Sequence, residues 1–213
     1  MNLEKIFSFI KEKRNYNYPL EYKIIYNLHI NEEDLTVNGD LLLVDRNIKE
    51  LPNNLKVIGS LDLQNNKIDT LPNNLYVRDY LDISETNITT LPTNLHVGGT
   101  LRANNTPLTS IPNNFKCGLN LILENTPLKS LPDNLHVKHN LSLRLTDITT
   151  LPDNLYVGAS LYIDNTSIES IPNNLYVGGS LFVRATPLSS KYTKEGIRKM
   201  IEDKNGYIKG DIL

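Results

Sequence analysis

The sequence predicts a repeat solenoid of stacked parallel β-strands with a small α/β cap at each end. Three observations lead there. A twenty-residue period runs without a gap from Leu51 to Ser190, aliphatic residues return at fixed slots in every period, and proline holds the second slot of each copy. Aligned on that start, the unit reads L-P-x-N-L-x-V-x-x-x-L-x-L-x-x-T-x-I-x-x. Copies begin at Leu51, Leu71, Leu91, Ile111, Leu131, Leu151 and Ile171, and a truncated one runs from Asn31 to Glu50. A period of this length marks units that cannot bury their apolar face alone and must lean on their neighbours.

Residues 1–30 read as an N-terminal cap, a helix plus a strand. Leu3, Ile6, Phe7 and Ile10 fall on one helical face behind Asn2, with Lys11, Lys13 and Arg14 at the end where the helix dipole favours cations. After Pro19, the alternation of Leu20, Tyr22, Ile24, Tyr26, Leu28 and Ile30 predicts a half-buried strand. Such a cap covers the apolar face and the unpaired sheet edge of the first coil.

Residues 31–190 form the solenoid. Each repeat holds two period-two segments, Leu-x-Val (Leu55 and Val57, Leu155 and Val157) and Leu-x-Leu (Leu61 and Leu63, Leu161 and Ile163). Their aliphatic members point inward and the residues between them outward. Glycines such as Gly59, Gly98, Gly99, Gly158, Gly178 and Gly179 stand where the chain turns between the segments. The prolines, from Pro52 to Pro172, have no N–H to give to a ladder, so their side is an extended or turn segment. Two polar columns, Asn54 to Asn174 and Thr86 to Thr186 with Asn66 in the first full copy, satisfy backbone groups at the corners. Residues 191–213 read as a C-terminal cap, again a helix plus a strand. Thr193 caps a helix bearing Ile197, Met200 and Ile201, Asn205-Gly206 ends it, and Tyr207-Ile208 with Ile212-Leu213 supply the last apolar edge.

With a formal net charge of -2 and a pI near 6.1, no global basic field draws the chain to nucleic acid or to an anionic membrane. The single cysteine excludes an internal disulfide and fits a reducing compartment. Charge breaks the N-terminal apolar run too often for a signal peptide, and no stretch approaches transmembrane length. These features predict a cytoplasmic protein without a membrane partner. The Asn-x-Ser/Thr matches at Asn87, Asn104, Asn140 and Asn165 are then by-products of an Asn- and Thr-rich repeat.

The motif Leu-x-Leu-x-x-Thr/Asn-x-Ile/Leu-x-x-Leu-Pro resembles the leucine-rich repeat family. Its length is similar to the short class found in secreted bacterial effectors, and the wording Leu-Pro-x-Asn-Leu-x-Val-x-Gly-x-Leu resembles repeat proteins of phages and large DNA viruses. The resemblance implies a concave parallel sheet made of the Leu-x-Leu strands, with Leu-x-Val on the opposite wall, and it implies protein binding as the activity. The viral wording adds an expected target, a host protein involved in defence. Where the family's ladder slot is usually Asn, this chain mostly carries Thr, which puts the inner-loop geometry in question. The effectors that join such repeats to a ubiquitin-ligase domain need a catalytic domain for which this chain has no room.

The residues point to no catalytic, metal or cofactor site. Equivalent slots lie about 4.8 Å apart per coil, so His96 and His136, with Lys116 between them, stand about 10 Å apart, too far for one zinc ion. His136 and His139 lack further ligands, and Cys117 occupies the inward Val slot as a small hydrophobe. The outward columns of the Leu-x-Leu strands carry the candidate site. One runs Leu42, Asp62, Asp82, Arg102, Ile122, Ser142, Tyr162, Phe182, and the next runs Val44, Gln64, Ser84, Asn104, Glu124, Arg144, Asp164, Arg184. Tyr162 and Phe182 stand beside the alternating row Glu124, Arg144, Asp164, Arg184, with Ile122 and Arg102 extending the face. Aromatics and arginines grouped in this way are the material of interface hot spots. A second candidate face is the column Lys56, Tyr76, His96, Lys116, His136, Tyr156, Tyr176, with Tyr76, Tyr156 and Tyr176 as its aromatic members. The expected function is therefore non-enzymatic protein binding by a monomer or homodimer, a viral protein sterically blocking a host protein in the host cytoplasm. The alternative is a structural, self-associating role in a particle or assembly.

Overall fold

A computed structural model describes residues 18–213, so the helix expected over residues 2–14 lies outside the described part. The chain is a β-solenoid. Each Leu-x-Leu segment supplies a two-residue strand, from Leu41–Leu42 to Leu181–Phe182, and eight of them form one unbroken parallel sheet. The register steps by one repeat: Leu41 pairs with Leu61, Leu61 with Leu81, and Leu161 with Leu181. Ladder bonds run from the N–H of one coil to the carbonyl of the next, as from Leu61 to Tyr80 at 2.8 Å. The strands stay short because the chain turns at once. Two residues past the Leu-x-Leu segment, Asp45, Asn65, Glu85, Asn105, Asn125, Leu145, Asn165 and Ala185 all adopt left-handed φ between 55° and 58°.

The Leu-x-Val segments build the opposite wall, and here the ladder is broken. Thr36–Val37, Lys56–Val57, Tyr76–Val77 and His96–Val97 form one four-stranded parallel sheet, and His136–Val137, Tyr156–Val157, Tyr176–Val177 and Tyr207–Ile208 form another. The coil that begins at Ile111 contributes only an isolated bridge between Val97 and Cys117. Between the walls lies one continuous apolar core, in which Leu55, Val57, Leu61, Leu63 and Ile68 are 0% exposed and are followed by their equivalents on later coils.

The threonine column lies buried at the end of this core. Each hydroxyl donates to the carbonyl three residues back, as from Thr146 to Leu143 at 2.7 Å and from Thr166 to Ile163 at 2.7 Å. These bonds stay within one coil. Asn66 does more, because its Nδ2 donates to the carbonyls of Leu43 at 2.7 Å and Leu63 at 2.8 Å while its Oδ1 accepts from the Ile48 N–H at 2.7 Å. Asparagine in this slot therefore ties two coils together, whereas threonine closes its own turn only. The exposed asparagine column links coils from outside, with Asn74 Nδ2 donating to Asn54 Oδ1 at 2.8 Å and Asn174 to Asn154 at 2.9 Å. It is interrupted at the Ile111 coil, where Asn114 donates to the Thr93 carbonyl instead.

The N-terminal cap differs from the predicted strand over residues 20–30: Leu20–Ile25 is a short helix. The alternating pattern misleads because it assigns Lys23 to solvent. Lys23 is buried and ion-paired with Asp34 of the 3-10 turn Glu32–Leu35, so Tyr22 and Tyr26 face outward and stack at 6.3 Å. At the other end Thr193 caps helix Lys194–Asp203, which is preceded by a further turn of helix, Pro187–Lys191. Arg198 donates to the carbonyls of Ile208 and Gly210, holding the last strand in place. The final residues then pair with the edge of the eight-stranded sheet, with Leu181 N–H bonded to the Asp211 carbonyl at 2.9 Å.

Chemical denaturation of two variants separates the two kinds of corner. Thr146→Val should lower stability by about 1 kcal/mol, the net worth of one buried hydrogen bond. Asn66→Thr should cost roughly twice that, because it strands partners on two coils.

Candidate functional site

The eight-stranded sheet turns its outward columns to one face, and the strand register sets their neighbours. Tyr162 pairs with Phe182 and with Ser142, and Ser142 with Ile122. Tyr162 and Phe182 stack with ring centroids 4.4 Å apart, and the Arg144 guanidinium lies 4.3 Å from the Tyr162 ring and 5.9 Å from that of Phe182. Arg144 also donates to Asp164 at 2.9 Å and approaches Glu124 at 3.7 Å, while Ser142 donates to Glu124. An arginine held by two carboxylates over two aromatic faces is a rigid unit. Of the eight predicted residues, Tyr162, Phe182, Arg144, Glu124 and Asp164 are in side-chain contact, Arg184 joins them through its N–H to Asp164, and Ile122 and Arg102 follow as strand neighbours in register.

Their roles differ. Asp164 is only 7% exposed, accepting from Arg144 and from the Arg184 N–H at 3.0 Å, so it braces the cluster rather than presenting itself. Arg184 is exposed, and its guanidinium has no ion pair among the described residues. Arg102 turns away from the cluster and lies 5.7 Å from the Tyr80 ring. Tyr80 donates to buried Asp82, and partial burial together with that bond raises its phenol above the ordinary value. Tyr80 is thus the hydrogen-bonding partner of Asp82, whose strand neighbours in register are Asp62 and Arg102. Among the described residues no group of three His, Cys, Asp or Glu side chains is placed to hold a metal ion.

One residue of this face escaped the sequence reading. Leu145 is 57% exposed and left-handed at φ 57°, in a slot that asparagine fills on the coils before and after it. The strain disfavours leucine and the exposure gives it nothing in return, the combination expected when a side chain is kept for contact with something else. Its signal in the sequence is the replacement of Asn by Leu in the slot between Asn125 and Asn165.

On the opposite wall the second candidate column is also stacked. Tyr76 lies 4.5 Å from His96, His136 4.1 Å from Tyr156, Tyr156 4.6 Å from Tyr176, and Tyr176 5.4 Å from Tyr207. Apart from His96 and His136, between which no ring stacks, these rings are committed to each other face to face and offer mainly their edges. Cys117 is buried, and burial pushes its thiol up to about 11.

No protein-family model matches the chain, and no curated protein does. Its class follows from its own geometry, parallel strands stacked in steps of one repeat. Among the described residues no helix is long and apolar enough to cross a membrane.

Arg144→Ala should destabilise the protein by about 1–3 kcal/mol, because buried Asp164 loses its charged partner, whereas Arg184→Ala should stay within about 0.5 kcal/mol in the same melt. Iodoacetamide at pH 8 should label Cys117 about a hundredfold more slowly in the native protein than in the denatured chain. The raised pKa keeps the native thiol protonated where the unfolded thiol has begun to ionise.

Proposed function

We propose that the solenoid is a non-enzymatic protein-binding module of the leucine-rich repeat class, working through the outward face of the eight-stranded sheet near its C-terminal end. The observation that carries this reading is the pairing of a rigid base with free contacts. Arg144, Tyr162 and Phe182 are locked together, and exposed Arg184 and Leu145 stand beside them. A surface ordered before it meets its partner loses little side-chain entropy on binding, and an arginine with an exposed aliphatic neighbour suits a patch that is apolar at its centre and charged at its rim. The viral wording of the repeat supports a host protein as the target, blocked sterically in the host cytoplasm.

The test is capture from a lysate of candidate host cells, comparing the natural protein with Leu145→Asn/Arg184→Glu, two exposed changes that leave the melt unchanged. The expected outcome is one protein enriched by the natural form and reduced at least about tenfold by the variant, the loss of roughly 1.4 kcal/mol or more of binding energy. Equal enrichment by both forms would remove this face from the mechanism. Growth of the pure protein's size with concentration, without capture, would replace the proposal with self-association.

A further inference from the structure

The coil beginning at Ile111 leaves a cavity in the wall opposite the eight-stranded sheet. Elsewhere that wall is tied by bonds such as Tyr76 N–H to the Leu55 carbonyl at 3.0 Å and Gly158 N–H to the Val137 carbonyl at 2.9 Å. At this coil, among the described residues, the equivalent bonds from Lys116 to Leu95, from His136 to Phe115 and from Lys138 to Cys117 are missing. The Phe115 N–H bonds back to the Pro112 carbonyl at 3.0 Å, as the Leu95 N–H does to the Pro92 carbonyl at 3.2 Å one coil earlier. What holds the coil in place is its corner, where Gly118 N–H bonds the Val97 carbonyl at 3.1 Å. Gly118 is required there, because a Cβ would lie 1.7 Å from the Gly98 carbonyl oxygen.

The result is a cavity of about 750 Å³, within the usual span of small-molecule sites. Phe115, Leu119 and Leu135 give it an apolar lining. Lys116 and Lys138 line it too, and neither has an ion pair among the described residues, whereas Arg78 is already paired with Asp79. Asp133 is the one lining carboxylate outside that pair. The aromatic column is interrupted at the same place. His136 stacks on Tyr156 with one ring face, so its other face turns toward the Lys116 coil and lacks a ring to meet it. Lys116 fills the slot between His96 and His136, so no ring stands there. Of the two histidines only His136 lines the cavity, where a flat ring fits at stacking distance from it once the flexible lysine chain swings aside.

We propose that this cavity binds a small planar aromatic anion. Its ring takes the place of the missing rung against His136, over the apolar lining. Its carboxylate or phosphate is held by the ammonium groups of Lys116 and Lys138 and by the unbonded N–H groups of His136 and Lys138. Charge-assisted bonds to two lysines and two backbone donors decide for an anion over a neutral ring. The site is separate from the protein-binding face, on the other wall of the solenoid.

The test is a proton NMR titration of the full-length protein with 2-naphthoate and with 2-naphthyl phosphate, reading the ring protons of its four histidines, assigned with His136→Gln. The expected result is a saturable ring-current shift at His136 and none at His29. The neutral 2-naphthalenemethanol should bind at least about tenfold more weakly, the loss of one charge-assisted contact. Whichever of the two acids binds more tightly identifies the anionic group. Lys116→Tyr, which places in the gap the residue found at Tyr76, Tyr156 and Tyr176, should fold normally and weaken binding by at least about tenfold. Absence of a saturable His136 shift with either acid overturns the proposal. So does equal binding of the neutral compound, or undiminished binding by Lys116→Tyr.

Discussion

Everything in this molecule depends on the ladder that joins equivalent residues of successive coils. Because each bond connects a residue to its counterpart one repeat later, every slot becomes a column, and a column is the unit in which the chain can be understood. The inward columns become the core, and the outward columns become stacks of like chemistry at strand spacing. That spacing is what lets rings in one column lie 4.1–4.6 Å apart. A one-residue slip would turn each outward side chain into the core, so the register is held by burial as much as by hydrogen bonds.

Much of this was legible in the sequence. The period, the two inward pairs per repeat, the buried threonine column and the capped C-terminal helix all follow from spacing and residue type. They are local consequences of one repeated sentence. The grouping of Tyr162, Phe182 and Arg144 was legible for the same reason, since neighbours in a column are set by arithmetic. What resisted were features that break the repeat or lie outside it. Residues 20–26 have an apolar alternation that suits a strand, but the partner of Lys23 sits on a later turn that no local pattern announces. Asp164 reads as an exposed charge by slot, yet two donors converge on it and bury it. Leu145 is the one large apolar residue in a column otherwise of Asn, Asp, Glu and Ala, a signal that gains its meaning once the left-handed backbone of that slot is known.

The Ile111 coil shows how a repeat can acquire a local purpose without losing its fold. Its Leu-x-Leu strand is in register, with Ala103 bonded to Ile122 and Leu123 to Ser142, both at 2.9 Å. Only the other wall departs, where Phe, Lys and Cys stand in place of the usual Leu, a ring residue and Val. One wall conserves the architecture and so leaves the other at liberty to vary. The two candidate surfaces of this chain divide in the same way, one built on regularity and the other on its interruption.

The split in that wall also bears on how the array comes apart. In a linear array, cooperativity passes only through the interfaces between neighbouring units, and the weakest interface sets the boundary between unfolding blocks. Here three wall bonds and a rung of the asparagine column are missing around a single coil, while the facing sheet runs through unbroken. The wall is thus split into two blocks, while the facing sheet, the core and the corner bonds of Gly118, Leu119 and His139 run through. Stretching or heating the solenoid would part the blocks on the wall side first, as a hinge opens away from its pin.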